Sequence, residues 1–218
     1  MSVRCYKREL YNSIAQIREE LGLTPYSTIT NSVEIISQLP ILELESIPIQ
    51  NPSLHGICSF GEGEQADVIL LNSNRTMIEQ NFDCMHEFIH LHEHRGKQRE
   101  TFYCYDHVLK KQDSFIEWQA NEGAAESLVP YQDFIPRFCT LFSCTDILGP
   151  VDICGCLAEY YHVPPRVIDI RLDSLAYEID QFRKGVPIEE VELLSRNQRK
   201  LRGIIPTNYR ARIAFPLS

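Results

Sequence analysis

The segment Phe82–Gly96, FDCMHEFIHLHEHRG, constrains this chain more than any other, because four of the seven histidines fall within nine positions of it. His86-Glu87-Phe88-Ile89-His90 is H-E-x-x-H, and His90-Leu91-His92-Glu93-His94 is the reversed pattern H-x-x-E-H. His90 belongs to both, so only one register can hold an ion. At about 100° per residue with Phe82 at zero, Phe82, Met85, Phe88 and Ile89 fill an arc of about 240–360°, the expected core side. His86, His90 and His94 step through about 40°, 80° and 120° along its border, where side chains four apart share a face.

Two features separate the registers. Gly96 reads as a helix C-cap, which puts His94 in the last turn, where free carbonyls and the negative dipole end favour a histidine for structural reasons. His86 and His90 lie mid-helix beside Phe82, Met85 and Ile89, where water can be excluded. Glu87 stands next to the first of them, placed to act on metal-bound water. The His86/His90 register is therefore the expected metal site. His92, at about 280°, falls inside the apolar arc and is expected to pack inward.

A catalytic zinc needs three protein ligands and an open position. Downstream, in EWQANEGAAESLVP, Glu117, Asn121, Ala124 and Leu128 share one helix face, and its small residues permit close approach to a neighbour. Glu122 and Glu126, rotated from Glu117 by about 140° and 180°, are expected to face solvent. Glu117 is the carboxylate that can point at the His86/His90 helix, although ordinary surface exposure is the usual fate of glutamate.

The paired motifs resemble the ImmA/IrrE family of zinc metallopeptidases, whose members carry H-E-x-x-H and then E-x-x-A-N-x-F-A-A-x-L-L-x-P. The strand Val68-Ile69-Leu70-Leu71-Asn72 before the first motif fits as well, and the resemblance spans roughly residues 40–175. Gly123 replaces the family's frequent Phe, and Cys84-Met85 replaces small residues before the first histidine; both departures touch helix packing. The resemblance implies a zincin-like core, Zn2+ held by His86, His90 and Glu117, Glu87 as the catalytic base, and regulatory cleavage of a helix-turn-helix repressor. Tyr103, Tyr105 and His107, between the motifs, are candidates for steadying an oxyanion. By analogy with zincin-like folds, Asp67–Asn72 is expected at the cleft edge, where an extended substrate pairs.

Along the chain, helical periodicity at 4–21 and 33–39 gives way to short strands at 41–45, 55–60 and 67–72, with a hairpin across Gly61 and Gly63. Helical patterns then cover 76–94, 114–128, 131–142, 149–161 and 165–180, punctuated by Pro130, Pro150 and Pro164-Pro165. This order predicts an α+β fold. Residues 1–149 are expected to form the zincin-like domain with its N-terminal helices, and residues 150–218 a helical C-terminal section.

A net charge of −9 argues against general affinity for nucleic acid or anionic membrane. No leader-like start and no membrane-length apolar run stand out, so a cytoplasmic location with its eight cysteines reduced is expected. The competing reading is a DNA-binding regulator or a protein-interaction module whose metal is structural. Leu157–Leu175 has the cadence of a helix-turn-helix, but Arg166 and Arg171 there are offset by Asp169 and Asp173. Arg196, Arg199, Lys200, Arg202, Arg210 and Arg212 fall in an acid-free stretch, expected to be a solvated, partly flexible tail.

Overall fold

The computed structural model describes residues 6–96, 101–105, 113–148 and 152–214. Helices α1 (Tyr6–Glu20) and α2 (Ser32–Ile36) precede strands β1 (Leu42–Ile47), β2 (Leu54–Ser59) and β3 (Asp67–Asn72). Helix α3 (Met77–Glu93), strand β4 (Thr101–Tyr105) and helix α4 (Ser114–Leu128) follow. The remainder is helical: α5 (Tyr131–Leu148), α6 (Ile153–Tyr161), α7 (Pro165–Ser174), α8 (Ala176–Arg183), a 3-10 turn at Ile188–Glu190, α9 (Arg196–Leu201) and α10 (Tyr209–Ala214). The α+β class expected from the sequence is the class observed. No helix among the described residues is long and apolar enough to cross a membrane.

Two compact units divide the chain: residues 29–128 with 162–164, and residues 1–28, 129–161 and 165–218. The second unit takes in α1 and α5, which the sequence reading grouped with the sheet.

In the first unit the sheet order is β1-β3-β2-β4, with β1 parallel to β3 and β2 antiparallel to both of its neighbours. The β2–β3 hairpin turns where the sequence places Gly61 and Gly63. A Cβ on Gly61 would lie 2.2 Å from the Gln65 carbonyl oxygen, so that turn closes only around glycine. Asp67–Asn72 forms a strand as expected, but β3 lies inside the sheet and not at a cleft edge. The edges are β1 and β4, and β4 was not anticipated although TFYCY is rich in β-formers.

Asn72 ends β3 by tying three connections together. Its Nδ2 donates to the Leu54 carbonyl at 2.9 Å, while its Oδ1 accepts from the backbone of Ile49 at 3.3 Å and Asn74 at 3.1 Å. Four residues later Thr76 opens α3 with a capping box, accepting from Glu79 N at 3.3 Å while the Glu79 carboxylate accepts from Thr76 N at 3.0 Å. The entry point of the histidine helix is therefore fixed by side-chain hydrogen bonds.

The helical unit is held by buried polar ties as well as by its apolar core. Leu10, Ile14 and Ile17 form the buried stripe of α1, which stops at Gly22 with φ +72°. Lys7 Nζ donates to Glu178 Oε1 and to the Ser174 carbonyl, each at 2.7 Å. Arg171, fully buried, donates to Tyr11 Oη at 2.7 Å. The helix expected at 165–180 breaks at Leu175 into α7 and α8. The acid-free stretch is not a loose tail: it builds α9 and α10, with Arg199 and Tyr209 buried.

Candidate metal centre

Helices α3 and α4 carry the site, and their facing surfaces explain its closeness. Ala120, Ala124 and Ala125 are fully buried on α4, so nothing longer than a methyl group separates that surface from its surroundings. Asp113 starts α4 by accepting from the backbone N–H groups of Phe115 and Ile116, at 2.8 and 3.4 Å. That cap sets Glu117 in the first turn, where its carboxylate reaches the histidines.

His86 Nε2 and His90 Nε2 are 3.0 Å apart, and Glu117 Oε2 lies 3.6 Å from the first and 3.7 Å from the second. Tetrahedral zinc, with bonds of about 2.0–2.2 Å, places its ligand atoms about 3.4 Å from one another, close to this triangle. Burial and then the neighbouring His90 push His86 down to about 3; burial and then His94 do the same to His90. Both rings are neutral at pH 7 and present lone pairs, the form a metal binds. The chemistry and spacing of this donor set fit a zinc ion.

The surroundings hold the rings in place. His90 Nδ1 faces His94 Nδ1 at 3.0 Å, and Phe102 from β4 stacks on His90 with centroids 4.4 Å apart and planes 17° from parallel. The Asn121 side chain faces His86 and donates from Nδ2 to the Glu117 carbonyl at 2.8 Å. Such outer contacts fix ring orientation around a metal.

Glu87 points toward the sheet beneath the histidines. Gly56 of β2 admits it: a Cβ there would lie 2.8 Å from Glu87 Oε1. Both carboxylate oxygens are buried, and the thiol of Cys58 is the side-chain donor that faces them. Burial pushes the Glu87 pKa well above the ordinary carboxylate value; the Cys58 thiol opposes the shift, and Glu117 and Asp83 add to it.

Several expectations need correction. His92 is exposed and His94 is fully buried, the reverse of the expected packing for His92, although His94 does cap the helix by donating from its backbone to the His90 carbonyl. Glu122 and Glu126 are each 4 % exposed, so neither faces solvent. Phe102 and Cys104 are the β4 side chains turned toward the buried side; Tyr103 and Tyr105 alternate with them and point to the other face, away from the histidines. His107 lies outside the described residues.

A second buried group was not anticipated. His55, Asp83 and Cys104 bring donor atoms within 4.8 Å of one another, from β2, α3 and β4. Arg75 already binds Asp83, Nε to Oδ2 at 2.5 Å, and its positive charge opposes a cation there. His86, His90 and Glu117 are the better cation site. Only Asp83, one turn ahead of Glu87, lay within the histidine-rich segment, and none of the three belongs to a motif, so the second group had no spacing signal to announce it.

A family model described as Peptidase_M78, the IrrE N-terminal-like domain, matches residues 46–173. No curated protein matches the chain. The matched segment covers β2, α3, β4 and α4 and so includes every residue of the His86/His90/Glu117 cluster and Glu87. Spanning more than half of the sequence, that match shows that the chain belongs to the IrrE N-terminal-like family of peptidases.

Proposed function

We propose that the protein is a zinc-dependent metalloendopeptidase, with His86, His90 and Glu117 holding the ion and Glu87 acting as general base. The observation that carries this reading is the convergence of two neutral imidazoles and one carboxylate, from two helices, beside a buried glutamate. A zinc ion held by these three residues would supply Lewis acidity for the scissile carbonyl and for water, whose pKa it would lower to about 7. Glu87 takes the proton of the attacking water and returns it to the leaving amine. Burial raises its pKa above the ordinary carboxylate value, which makes it a stronger base than an exposed glutamate. The outer edge of β4 is the sheet edge nearest the histidines, and an extended peptide pairs with such an edge through its main chain.

The substrate class, a helix-turn-helix repressor cut in a regulatory step, comes from the family resemblance, and a cytoplasmic location goes with it. The competing DNA-binding reading loses support from α7: Arg171, one of its two arginines, is a core residue bonded to Tyr11. Asp169 and Asp173 on the same helix engage Arg210 instead.

The test pairs metal analysis with cleavage of co-expressed repressor candidates. Glu87→Gln is expected to keep wild-type zinc content and lose cleavage; full activity in the metal-replete variant would exclude Glu87 as the base. Glu117→Ala is expected to release zinc to a chelator at least tenfold faster, and an unchanged rate would move the third ligand elsewhere.

A further inference from the structure

Outside the family match, α9 and the loop after it form a groove with a volume of about 600 Å³, lined in part by Arg196, Arg199 and Lys200. Its shape is fixed locally. Ser195 and Gln198 make a capping box at the start of α9. Gly203, at φ +67°, closes the helix: its N–H donates to the Lys200 carbonyl at 3.1 Å, and Ile204 N donates to the Arg199 carbonyl at 2.9 Å. Asp180 then pins the far side of the loop, accepting from Thr207 N at 2.9 Å and from Tyr209 Oη at 2.7 Å.

Arg199 is the anomaly in this wall. It is 8 % exposed, its Nη1 is buried without a partner, and its guanidinium has no ion pair or ring contact among the described residues. The other deeply buried arginines, Arg18 and Arg171, also leave a buried Nε without a partner among the described residues, but each bonds through another guanidinium nitrogen. Arg18 donates to the carbonyls of Thr24 and Ser27, and Arg171 donates to Tyr11. Buried charge without a counter-charge is costly, and native structures supply a partner. Arg196 and Lys200 likewise have no carboxylate partner among the described residues. The acid that shares the groove, Asp173, is taken by Arg210 at 2.9 Å, as Arg202 is taken by Glu192 at 2.8 Å.

We propose that this groove binds a phosphate-bearing small molecule, with Arg199 at the base of the phosphate site and Arg196 and Lys200 at its mouth. Three cations suit a dianion, and the guanidinium fork matches phosphate oxygens in pairs. The groove is far larger than a free phosphate ion, and Ala176, Ile204 and Pro206 offer apolar wall to the uncharged body of a phosphate ester. The proposal does not depend on the metal centre.

Calorimetry on the full chain, at constant ionic strength with chloride as reference, tests it with inorganic phosphate and phenyl phosphate as probes. Phenyl phosphate is expected to bind at least tenfold tighter than inorganic phosphate, and Arg199→Met to weaken both at least tenfold. Phosphate should raise the Tm of the wild type and leave that of Arg199→Met unchanged. If Arg199→Met fails to fold, the double variant Arg196→Gln/Lys200→Gln, altered only at exposed positions, carries the test and should lose affinity several-fold. No binding beyond the chloride reference, or undiminished binding in the variants, overturns the site; equal affinity for the two probes overturns the ester.

Discussion

Replacing Gly56 by alanine would place a methyl group where the Glu87 carboxylate now lies. The new Cβ would stand 2.8 Å from Oε1, 3.0 Å from Cγ and 3.3 Å from Cδ. Ordinary contacts between such atoms begin at about 3.4 Å, so the carboxylate must retreat by roughly 0.6 Å or more. Gly56 itself is held by pairing with Leu71 on one side and Cys104 on the other, so the side chain of Glu87 is the part that moves. Nor does backbone strain contribute, because Gly56 is not among the glycines with positive φ. Misplacing a catalytic group by about 1 Å costs on the order of a hundredfold in rate, whereas overpacking by one methyl group costs about 1–3 kcal/mol. Gly56→Ala should therefore lower kcat about tenfold to a hundredfold and reduce stability by only about 1 kcal/mol. Zinc content should stay at the wild-type level, because His86, His90 and Glu117 are not displaced. Single-turnover peptide cleavage, metal analysis and thermal unfolding of the same preparation would check this. Wild-type kcat would refute the wedge; loss of zinc in step with activity would refute the claim that Gly56 acts through Glu87.

Three further outcomes follow from the buried groups. In the metal-free protein, burial holds the Glu87 pKa above its unfolded value, so the cost of its charge is absent below about pH 4.5 and grows as pH rises through the native pKa. Glu87→Gln should accordingly raise Tm more at pH 8 than at pH 5, and an equal offset at both would remove the buried-charge argument. Lys7→Met leaves the fully buried Glu178 with the Leu194 N–H but no counter-charge, and urea unfolding should show a loss of about 3 kcal/mol, largely restored by adding Glu178→Leu; a loss under about 1 kcal/mol counts against the pair. Alkylation at pH 8 should modify exposed Cys156 well before buried Cys84, whose thiol is pushed up to about 12 chiefly by burial; comparable rates by mass spectrometry would contradict that ordering.

The elements easiest to read were those whose local chemistry agrees with their tertiary setting. Thr76 and Glu79 open α3 where the periodicity starts, and Asp67–Asn72 is a compact apolar run that becomes a sheet strand with no change of boundary. β4 was missed because five residues between two motifs carry no flanking turn signal within the pattern and gain their strand character from pairing with β2. The placement of β3 inside the sheet follows from β1 lying parallel to it, a long-range pairing that alternation along one strand cannot reveal. The break at Leu175 has no proline or glycine to mark it.

The histidines show why the spacing was legible and the burial was not. An apolar arc locates the core side of a helix when the opposite side meets water. Helix α3 instead contacts β2, β3 and β4 as well as α4, and ten of its residues, including Asn81, Asp83, His86, Glu87 and His90, are buried. Its polar border is therefore interior. His94 continues the His86–His90 row and lands against Phe102, whereas His92 follows half-buried Phe88 by one turn along the rim and emerges at the helix end. The same reasoning covers Glu122 and Glu126, since α4 is buried continuously from Glu122 to Leu128 and no rotation of that segment leads to solvent. In such a helix, residue polarity says little about exposure, and the informative quantity becomes which donors face one another. His86, His90 and Glu117 answer that with lone pairs converging within 3.7 Å, while the overlapping His90/His94 pair meets through Nδ1 atoms and has no third donor grouped with it among the described residues. His94, the last residue of the reversed motif, thus meets the ring of His90 on the side away from His86 and Glu117.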